Sequence, residues 1–448
     1  MKISPLLTSI QNFSKTLTSI ALAICTLLGS GWVVKSMLSH QSVVIEKIEI
    51  PPSLEQKGLT GEVIVQRILD ELAYLRSMAQ VDRDENAVFS SLSSSNSTKI
   101  EASFGGVSLK SIEQGMSFLF HKQIKRISGE IISSAPRSDA STSYEERLRV
   151  DNLVISKRSM ILADDDLDKL IQNMAFDLYA HFEPFRAAVA AWKIGKLDLA
   201  RDLLRSQITN GSVEDQKYAL WLRSKLTGSR QEQADLLEAL NLDPKFHLAL
   251  VSLSDFHRRN KDFNQGITYA DRAIEVNPNS PLGYHAKGRN FRESGKLAEA
   301  LEIFIKTCSL PTPYAPCHNQ IGEITLITEN IPGKHSDKKF RDAYTSFIKA
   351  TKIDPKHPWA YSNAAYAAIL IGDFNEGLAL ANRAILLDEK STTHKIRYAW
   401  ALHKKGQKKE AIEIISSVES EYPNWQTSPP PGWGNRSIIS SILKDNKP

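Results

Sequence analysis

The amino-terminal region contains a long run of apolar and small residues without charge. Thr16 to Val34 includes no Asp, Glu, Lys or Arg, and Lys15 and Lys35 bracket the run. Such a run is just long enough for a helix to cross a bilayer core of roughly 30 Å. The pattern therefore predicts a transmembrane anchor at 16–37 after a stub of residues 1–15. A cleaved signal peptide is the alternative, although its apolar core is shorter and no A-x-A-like site follows this run.

The lysines near this run predict which side of the membrane the chain occupies. Lys2, Lys15 and the α-amino group precede the run, and Lys35 and Lys47 follow it. Because positive charge is retained in the cytoplasm, the stub is expected there. The prediction is a single-pass protein of the inner (cytoplasmic) membrane with its carboxyl-terminal bulk in the periplasm of a bacterium. The small excess of charge leaves the reverse topology open.

Residues 40–160 combine strand-like and helix-like patterns, which predicts a small α+β domain. A strand before Pro51 is followed by an amphipathic helix from Thr60, which is its expected cap. The later elements are expected to be a strand at 98–104, a helix at 108–121, and a hairpin of strands at 123–134 and 145–157. The segment contains no Ser/His/Asp or Cys/His arrangement, so a docking or spacer role is expected.

Beyond residue 160 the apolar positions follow a helical period, and from residue 247 they also recur in blocks. Small side chains at the eighth position of a block allow two helices to approach closely. Four blocks have Ser254, Gly288, Ala365 and Ala399 there. Segment 161–246 is expected to hold two degenerate repeats, and 426–448 to form a capping tail. The five predicted repeats are 247–280, 281–314, 315–357, 358–391 and 392–425.

These blocks resemble the tetratricopeptide repeat (TPR) in their 34-residue length, small-residue positions and closing prolines such as Pro278 and Pro423. The block at 315–357 is longer, at 43 residues. The resemblance implies a solenoid of helix pairs whose concave groove binds an extended peptide or a helix. The predicted fold class is therefore mainly α: a transmembrane helix, a small α+β domain and then a TPR solenoid.

The resemblance also implies which side chains face the groove, namely those at the second, fifth, ninth, twelfth and thirteenth positions of each block. The groove would then have a basic half and an aromatic half. We expect a protein partner with acidic residues at one end and apolar residues at the other. The alternative is a solvated arginine face and aromatic residues that belong to the core between repeats. The predicted groove residues are Arg258, Arg259, His285, Arg289, Arg292, Trp359, Tyr366, Ile396, Trp400 and His403.

Composition and motifs argue against several other functions. Lys and Arg number 56 against 51 Asp and Glu, a net charge of +5, which is low for a nucleic-acid-binding protein. Asn290 stands where a phosphate loop ending at Gly295-Lys296 would need glycine. There is also no H-E-x-x-H or C-x-x-C motif. No catalytic residue, metal, cofactor or small-molecule substrate is therefore expected.

Cys308 and Cys317 are separated by a proline-rich connection between two predicted repeats. In an oxidising compartment they are candidates for a disulfide; otherwise they are small buried side chains. The sequence as a whole predicts a membrane-anchored scaffold for protein interactions. The alternative function is a regulatory or sensory subunit of an envelope membrane complex.

Overall fold

Helices account for most of the structure, a computed structural model. Contacts divide the chain into two units, unit 1 to Leu226 and unit 2 from Thr227. The predicted stub and anchor lie outside the described residues. Within the described residues, no helix has the length and apolar character needed to cross a bilayer. The structure describes residues 43–56, 58–79, 93–94, 103–104, 107–108, 125–133, 142–162, 167–328, 337–421 and 436–444.

Unit 1 contains a mixed sheet with the strand order β2-β1-β5-β6-β7. β1 runs parallel to β5, and β5, β6 and β7 follow one another as an antiparallel meander. β3 and β4 form a separate antiparallel pair. The strands are β1 (Val43–Glu49), β2 (Ser93–Ser94), β3 (Ser103–Phe104), β4 (Val107–Ser108), β5 (Lys125–Ser133), β6 (Thr142–Val150) and β7 (Leu153–Leu162).

Six helices accompany this sheet among the described residues of unit 1. The second lies between β1 and β5 along the chain, as a parallel strand pair requires a crossover connection. Its first turn is capped by Thr60, whose Oγ1 accepts a hydrogen bond from the Val63 backbone N–H (3.3 Å). The helices are α1 (Pro52–Glu55), α2 (Gly61–Met78), α3 (Leu167–Phe182), α4 (Pro184–Lys193), α5 (Leu197–Asn210) and α6 (Val213–Ser224).

The single strand predicted at 145–157 is wrong. The chain turns back at Asp151 and Asn152, whose φ angles are 49° and 71°. Two consecutive residues with positive φ form a tight hairpin turn, and Asp and Asn tolerate this conformation better than most residues. Hence β6 ends at Val150 and β7 begins at Leu153. The predicted helix at 108–121 falls largely outside the described residues.

One hydrophobic core joins the sheet to the helices that follow it. Ile48 and Ile127 contribute to this core from adjacent parallel strands, and Ile68 contributes from α2. Met174 and Tyr179 of α3 and the alanine-rich α4 extend it. The α+β part and the first helical hairpin therefore share buried apolar surface, the main stabilising contribution in both.

Unit 2 consists of helix pairs. Their first helices begin at His247, Pro281, Ala315, Pro358 and Thr392, so the intervals are 34, 34, 43 and 34 residues. The prediction of a mainly α fold of repeated helix pairs with a small sheet is confirmed. The helices are α7 (Ser229–Leu242), α8 (His247–Arg259), α9 (Phe263–Val276), α10 (Pro281–Glu293), α11 (Leu297–Cys308), α12 (Ala315–Ile327), α13 (Asp337–Ile353), α14 (Pro358–Ile371), α15 (Phe374–Leu387), α16 (Thr392–Lys404), α17 (Lys408–Glu421) and α18 (Arg436–Lys444).

The small residues at the eighth position provide the space that helix pairing needs. A Cβ atom on Gly288 would lie 2.6 Å from the ring of Phe304, and one on Gly322 would lie 2.5 Å from the ring of Phe347. Both rings are fully buried in the second helix of the same pair. Glycine at these positions lets each aromatic ring pack directly on the facing backbone.

The turn inside each helix pair requires a left-handed backbone conformation. Glycine fills this position with φ between 82° and 95° at Gly195, Gly295, Gly372 and Gly406. The pair at 247–280 instead has Lys261, with φ 61°. A side chain in this region strains the backbone, because Cβ approaches the following carbonyl.

Replacing Lys261 by glycine should therefore stabilise unit 2. We expect a gain of about 0.5–1 kcal/mol, since relief of the left-handed strain exceeds the added entropy of the unfolded chain. Urea unfolding at neutral pH measures the change. The matched reverse substitution, Gly295→Lys, should lower the free energy of unfolding by a similar amount. A destabilised Lys261→Gly variant would contradict this explanation.

Candidate partner-binding surface

Polar side chains form a continuous network across the first helices of five successive pairs. We call this network the polar seam. It begins on α8, crosses α10, α12 and α14, and ends on α16. Its members are Asp255, Arg258, Arg289, Arg292, Glu293, Asn319, Gln320, Glu323, Ser362, Asn363 and Arg397.

Carboxylates neutralise the arginines at the amino-terminal end of the polar seam. Arg258 donates from Nε to Asp255 Oδ1 (3.1 Å) and from Nη1 to Glu293 Oε1 (2.6 Å). Arg289 Nη1 lies 3.3 Å from the same Asp255 oxygen. Burial raises the pKa of Asp255, but Arg289 and Arg258 outweigh it, so the pKa lies below its usual value. Asp255 is therefore ionised at neutral pH.

The other two predicted arginines also have acidic partners. Arg292 donates to Gln320 Oε1 (2.6 Å) and contacts Glu323. Arg259, beside the polar seam, contacts Glu232 of α7. The basic half predicted from sequence is thus an array of ion pairs and not a free cationic patch. The carboxylates come from residues 27 to 35 positions away or from the same helix, a pairing that repeat positions do not reveal.

Amide side chains continue the polar seam between α12 and α14. Asn363 Nδ2 donates to Asn319 Oδ1 (2.9 Å) and to Glu323 Oε1 (3.0 Å). Asn319 Nδ2 donates to the same Glu323 oxygen (2.9 Å). Glu323 therefore joins the arginine and amide parts of the network. Buried polar networks of this kind stabilise one specific arrangement when their members are satisfied.

Arg397 of α16 ends the polar seam, and its hydrogen-bond partners are neutral. Its Nη1 donates to Asn363 Oδ1 (2.6 Å) and Ser362 Oγ (2.9 Å). Its guanidinium lies over the Tyr366 ring, 5.3 Å from the centroid. The Nε atom is buried without a hydrogen-bond partner, and burial lowers the pKa of Arg397 to about 10. Among the described residues, no carboxylate lies within ion-pair distance of this guanidinium.

Aromatic side chains surround this end of the polar seam. Tyr366 and Trp400 have ring centroids 5.4 Å apart, and Trp359 meets His394 edge to face at 4.9 Å. Trp359 is 41% exposed, whereas Trp400 is 8% exposed. Tyr366 is half-buried. Trp359 and Tyr366 are therefore the two aromatic residues of the predicted set that solvent or a partner can reach most readily.

Several predicted groove residues have other roles. Ile396 is fully buried and belongs, with Trp400, to the core shared with α17 and α18. The assignment of Ile396 to the groove is therefore wrong, because its side chain is enclosed in this core and is not accessible to a partner. His403 is half-buried at the end of α16. The sequence analysis missed Arg397; an arginine at the sixth position, where Asn363 stands in the previous block, is the signal that points to it.

His285 also lies inside the repeat stack. Its ring packs against Phe304 and Tyr314, with centroid distances of 5.8 and 5.4 Å. Its Nε2 atom is buried without a hydrogen-bond partner, and burial lowers the pKa of His285 to about 3. His285 is therefore neutral and adds no positive charge to the surface.

The two carboxyl-terminal cysteines are joined at the connection between two helix pairs. The Sγ atoms of Cys308 and Cys317 are 2.02 Å apart, which is a disulfide. The bond connects the last residue of α11 to the first turn of α12. It closes the proline-rich connection that the sequence placed between two repeats.

Comparison with solved structures finds several helical proteins at low similarity, two of which are described as TPR proteins. TTC0263, a thermophilic TPR protein of Thermus thermophilus, is 20% identical, with a TM-score of 0.33 over 49% of this chain and 97% of that chain. PilW, a widely conserved type IV pilus biogenesis factor, is 15% identical, with a TM-score of 0.38 over 55% and 98%. YrrB, a TPR protein with an unusual peptide-binding site, is 11% identical, with a TM-score of 0.33 over 47% and 97%. No protein-family model and no curated protein matches the sequence. Similarities this low do not transfer a function.

Proposed function

We propose that this protein is a membrane-anchored scaffold that binds a partner polypeptide along the polar seam of unit 2. The uncharged run at 16–34 supplies the anchor, and the lysine distribution favours a periplasmic location for the bulk of the chain. The binding surface consists of side chains on successive first helices. Its function is recognition, and the partner is a protein segment.

Arg397 is the observation that carries this proposal. A guanidinium with neutral partners and a buried, unsatisfied Nε is costly to keep in a protein interior. A carboxylate from a partner would give Arg397 a direct ion pair, which the more distant Glu323 does not, because Arg binds carboxylates through charge-assisted hydrogen bonds. The four arginines predicted earlier are less available, since a partner would have to displace Asp255, Glu232, Glu293 or Glu323 from them.

The neighbouring aromatic side chains define the rest of the ligand. Trp359 offers an exposed apolar surface on the first helix of the pair before Arg397. Tyr366 lies between Arg397 and Trp400 and presents part of its ring. A segment with an acidic side chain or a free carboxyl terminus followed by apolar residues would satisfy both features. We therefore place the acidic end of the partner segment at Arg397 and not at the arginines of the predicted basic half.

Replacing Arg397 by glutamine should strongly weaken partner capture while leaving the fold intact. Glutamine keeps a polar group at the position of the arginine Nε, but it has no charge for a partner carboxylate and does not reach the Ser362 and Asn363 oxygens. We expect at least about a tenfold loss of affinity, the lower range for a charged hot-spot residue. Photo-cross-linking in intact membranes identifies the partner, and titration of its purified binding segment gives the affinity.

The matched control is Arg383→Gln, which removes an exposed arginine from the second helix α15. This variant should capture the partner as well as the parent does. Trp359→Ala should weaken binding of the same segment by several-fold. Unchanged binding by the Arg397→Gln variant, with circular dichroism identical to the parent, would reject the carboxylate-binding role of Arg397.

A further inference from the structure

A second chemical centre lies where two helix pairs join. Cys308 ends α11, and Cys317 and His318 lie in the first turn of α12. One ligand atom from each of these residues, two sulfurs and one ring nitrogen, lies within 4.8 Å of the other two. Only two of the three are cysteines, so a cysteine-spacing search of the sequence does not find this group.

We propose that Cys308, Cys317 and His318 form a three-ligand site for a borderline-soft divalent cation such as Zn²⁺, available only when the two cysteines are reduced. In the oxidised chain the two sulfurs are bonded to each other, which removes them as thiolate ligands. The disulfide and the metal site are therefore alternative states of the same residues.

The donor set fits this class of cation. Thiolate sulfur and imidazole nitrogen are the ligands that Zn²⁺ prefers, with bonds of about 2.3 and 2.0 Å. In a tetrahedral site with such bonds, neighbouring ligand atoms lie about 3.3–3.8 Å apart. The three atoms are close enough to reach this spacing with small rotations about side-chain bonds. Three protein ligands leave a fourth position for water or for a group from a partner.

The surrounding chain favours a preformed site. The Cα atoms of the two cysteines are 5.6 Å apart, so the backbone keeps both sulfurs near one point after reduction. The connection contains Pro311, Pro313 and Pro316, which limit its backbone freedom. Cys317 is fully buried, whereas Cys308 and His318 are partly exposed, so an ion can approach from their side.

Conversion between the two states balances as a thiol–disulfide exchange. A dithiol reductant transfers two electrons and two protons to the Cys308–Cys317 disulfide, giving two thiols, and itself becomes a disulfide. Binding of the divalent cation then releases the thiol protons to solvent. Oxidation by a disulfide of higher potential reverses the sequence and expels the cation.

The test uses the full chain in a Cys25→Ser background, so that only these two cysteines remain. Protein reduced by a dithiol, then freed of reductant without oxygen, is titrated with Zn²⁺ alone by calorimetry. Cd²⁺ is used in parallel because its thiolate complexes absorb in the ultraviolet. We expect one cation per reduced chain, with a Kd below about 1 µM. The same chain with the disulfide intact should show no thiolate absorption and binding at least a hundredfold weaker.

Two variants separate the proposed site from nonspecific binding. His318→Gln keeps both thiols and should weaken Zn²⁺ binding at least tenfold, and Cys317→Ser should abolish the tight site. Both are compared by circular dichroism with the reduced parent to show that they fold. If reduced and oxidised chains bind Zn²⁺ equally, the proposal is wrong. If His318→Gln binds as tightly as the parent, the site is not a three-ligand site and the proposal is also wrong.

Discussion

Lowering the pH from 7 to 4.5 should destabilise unit 2, because the buried His394 and the partly buried His285 resist protonation in the folded chain. His394 is completely buried, and neither ring nitrogen has a hydrogen-bond partner. Burial, together with the nearby Arg397, lowers the pKa of His394 to about 4. His285 behaves in the same way, with a pKa of about 3 that is caused mainly by burial.

The direction of the effect follows from proton linkage. An unfolded histidine has a pKa of about 6.5, so between pH 6.5 and 4 the unfolded chain binds more protons than the folded one. The histidine contribution to stability is therefore complete above pH 6.5. It is lost progressively as the pH falls toward the folded pKa. At pH 4.5 the expected loss is about 2–3 kcal/mol for each histidine.

Replacing His394 by leucine should remove one of these losses. Leucine has a similar volume and sacrifices no hydrogen bond at a site where both nitrogens lack partners. The variant should retain about 2–3 kcal/mol more stability than the parent when both are taken from pH 7 to 4.5. The ion pairs of the polar seam also weaken in acid, but they do so equally in both proteins. The difference between variant and parent therefore isolates the histidine.

Denaturant-dependent hydrogen exchange with mass spectrometry measures this difference within unit 2. Rates at each pH are corrected for intrinsic exchange, and peptides from α10 and α16 report on the two histidines. His285→Leu provides an independent repeat of the test at a second site. An equal acid dependence of the parent and both leucine variants would show that these histidines do not control the stability of unit 2.

Glu146 should give unit 1 a pH dependence of the opposite direction, with stability lost as the pH rises. Replacing Glu146 by glutamine should remove this dependence. Glu146 is fully buried on β6, and Ser156 Oγ lies 3.0 Å from its Oε1 and 2.6 Å from Asp177 Oδ2. A hydroxyl has one proton and can donate to only one carboxylate. Both contacts are hydrogen bonds only if one carboxyl group is itself protonated.

Glu146 is the group that holds this proton. Burial raises the pKa of Glu146 to about 7, and the charge of Asp177 acts in the same direction. The Ser156 hydroxyl and Arg158 oppose the rise. Arg158 lies closer to Asp177, at 3.1 Å, than to Glu146, at 3.7 Å. This geometry leaves Glu146 with the weaker contact to a positive charge and favours its neutral form in moderately acidic solution.

The folded chain consequently binds more protons than the unfolded chain between pH 4.5 and 7. The contribution of Glu146 is present in full below pH 4.5 and is lost as the pH rises through 7. The corresponding change in the free energy of unfolding is about 3 kcal/mol. Glu146→Gln should remove this dependence and stabilise unit 1 at pH 8, because the amide keeps the shape of the protonated acid.

Glu145→Gln is the matched control on the same strand. Glu145 lies on the opposite, half-buried side of β6 and pairs with Arg147. Its substitution should not increase stability at pH 8. Exchange of peptides covering β6 and β7, measured at pH 5 and pH 8, compares both variants with the parent. A Glu146→Gln variant that shows the same pH dependence as the parent would mean that Glu146 is charged in the folded chain.

Local signals explain which parts of the sequence prediction succeeded. Thr60 caps α2 as expected, because its hydroxyl oxygen needs only the backbone N–H three residues ahead as a hydrogen-bond donor. Two-residue turns also depend on local preference. However, the sequence analysis predicted one continuous strand across Asp151 and Asn152, because the apolar alternation continues on both sides of them. The turn chemistry of Asp-Asn was available in the sequence and outweighs that alternation.

Contacts between repeats explain what the sequence analysis missed. Arg258 and Arg292 occupy the predicted positions, but their acidic partners come partly from the next first helix. Ile396 shares the groove pattern and yet is completely buried. His318 is adjacent to Cys317 in the chain, but only the approach of α11 to α12 brings Cys308 to both.

The sequence by itself determined the helix pairs, because small residues, caps and glycine turns act within about one repeat and recur at a fixed spacing. Only the tertiary structure decided which charges are neutralised and which histidines are buried. These properties depend on distances of a few ångströms between side chains on different helices. Electrostatic and desolvation energies change steeply over such distances, whereas a repeat pattern specifies only the face of a helix.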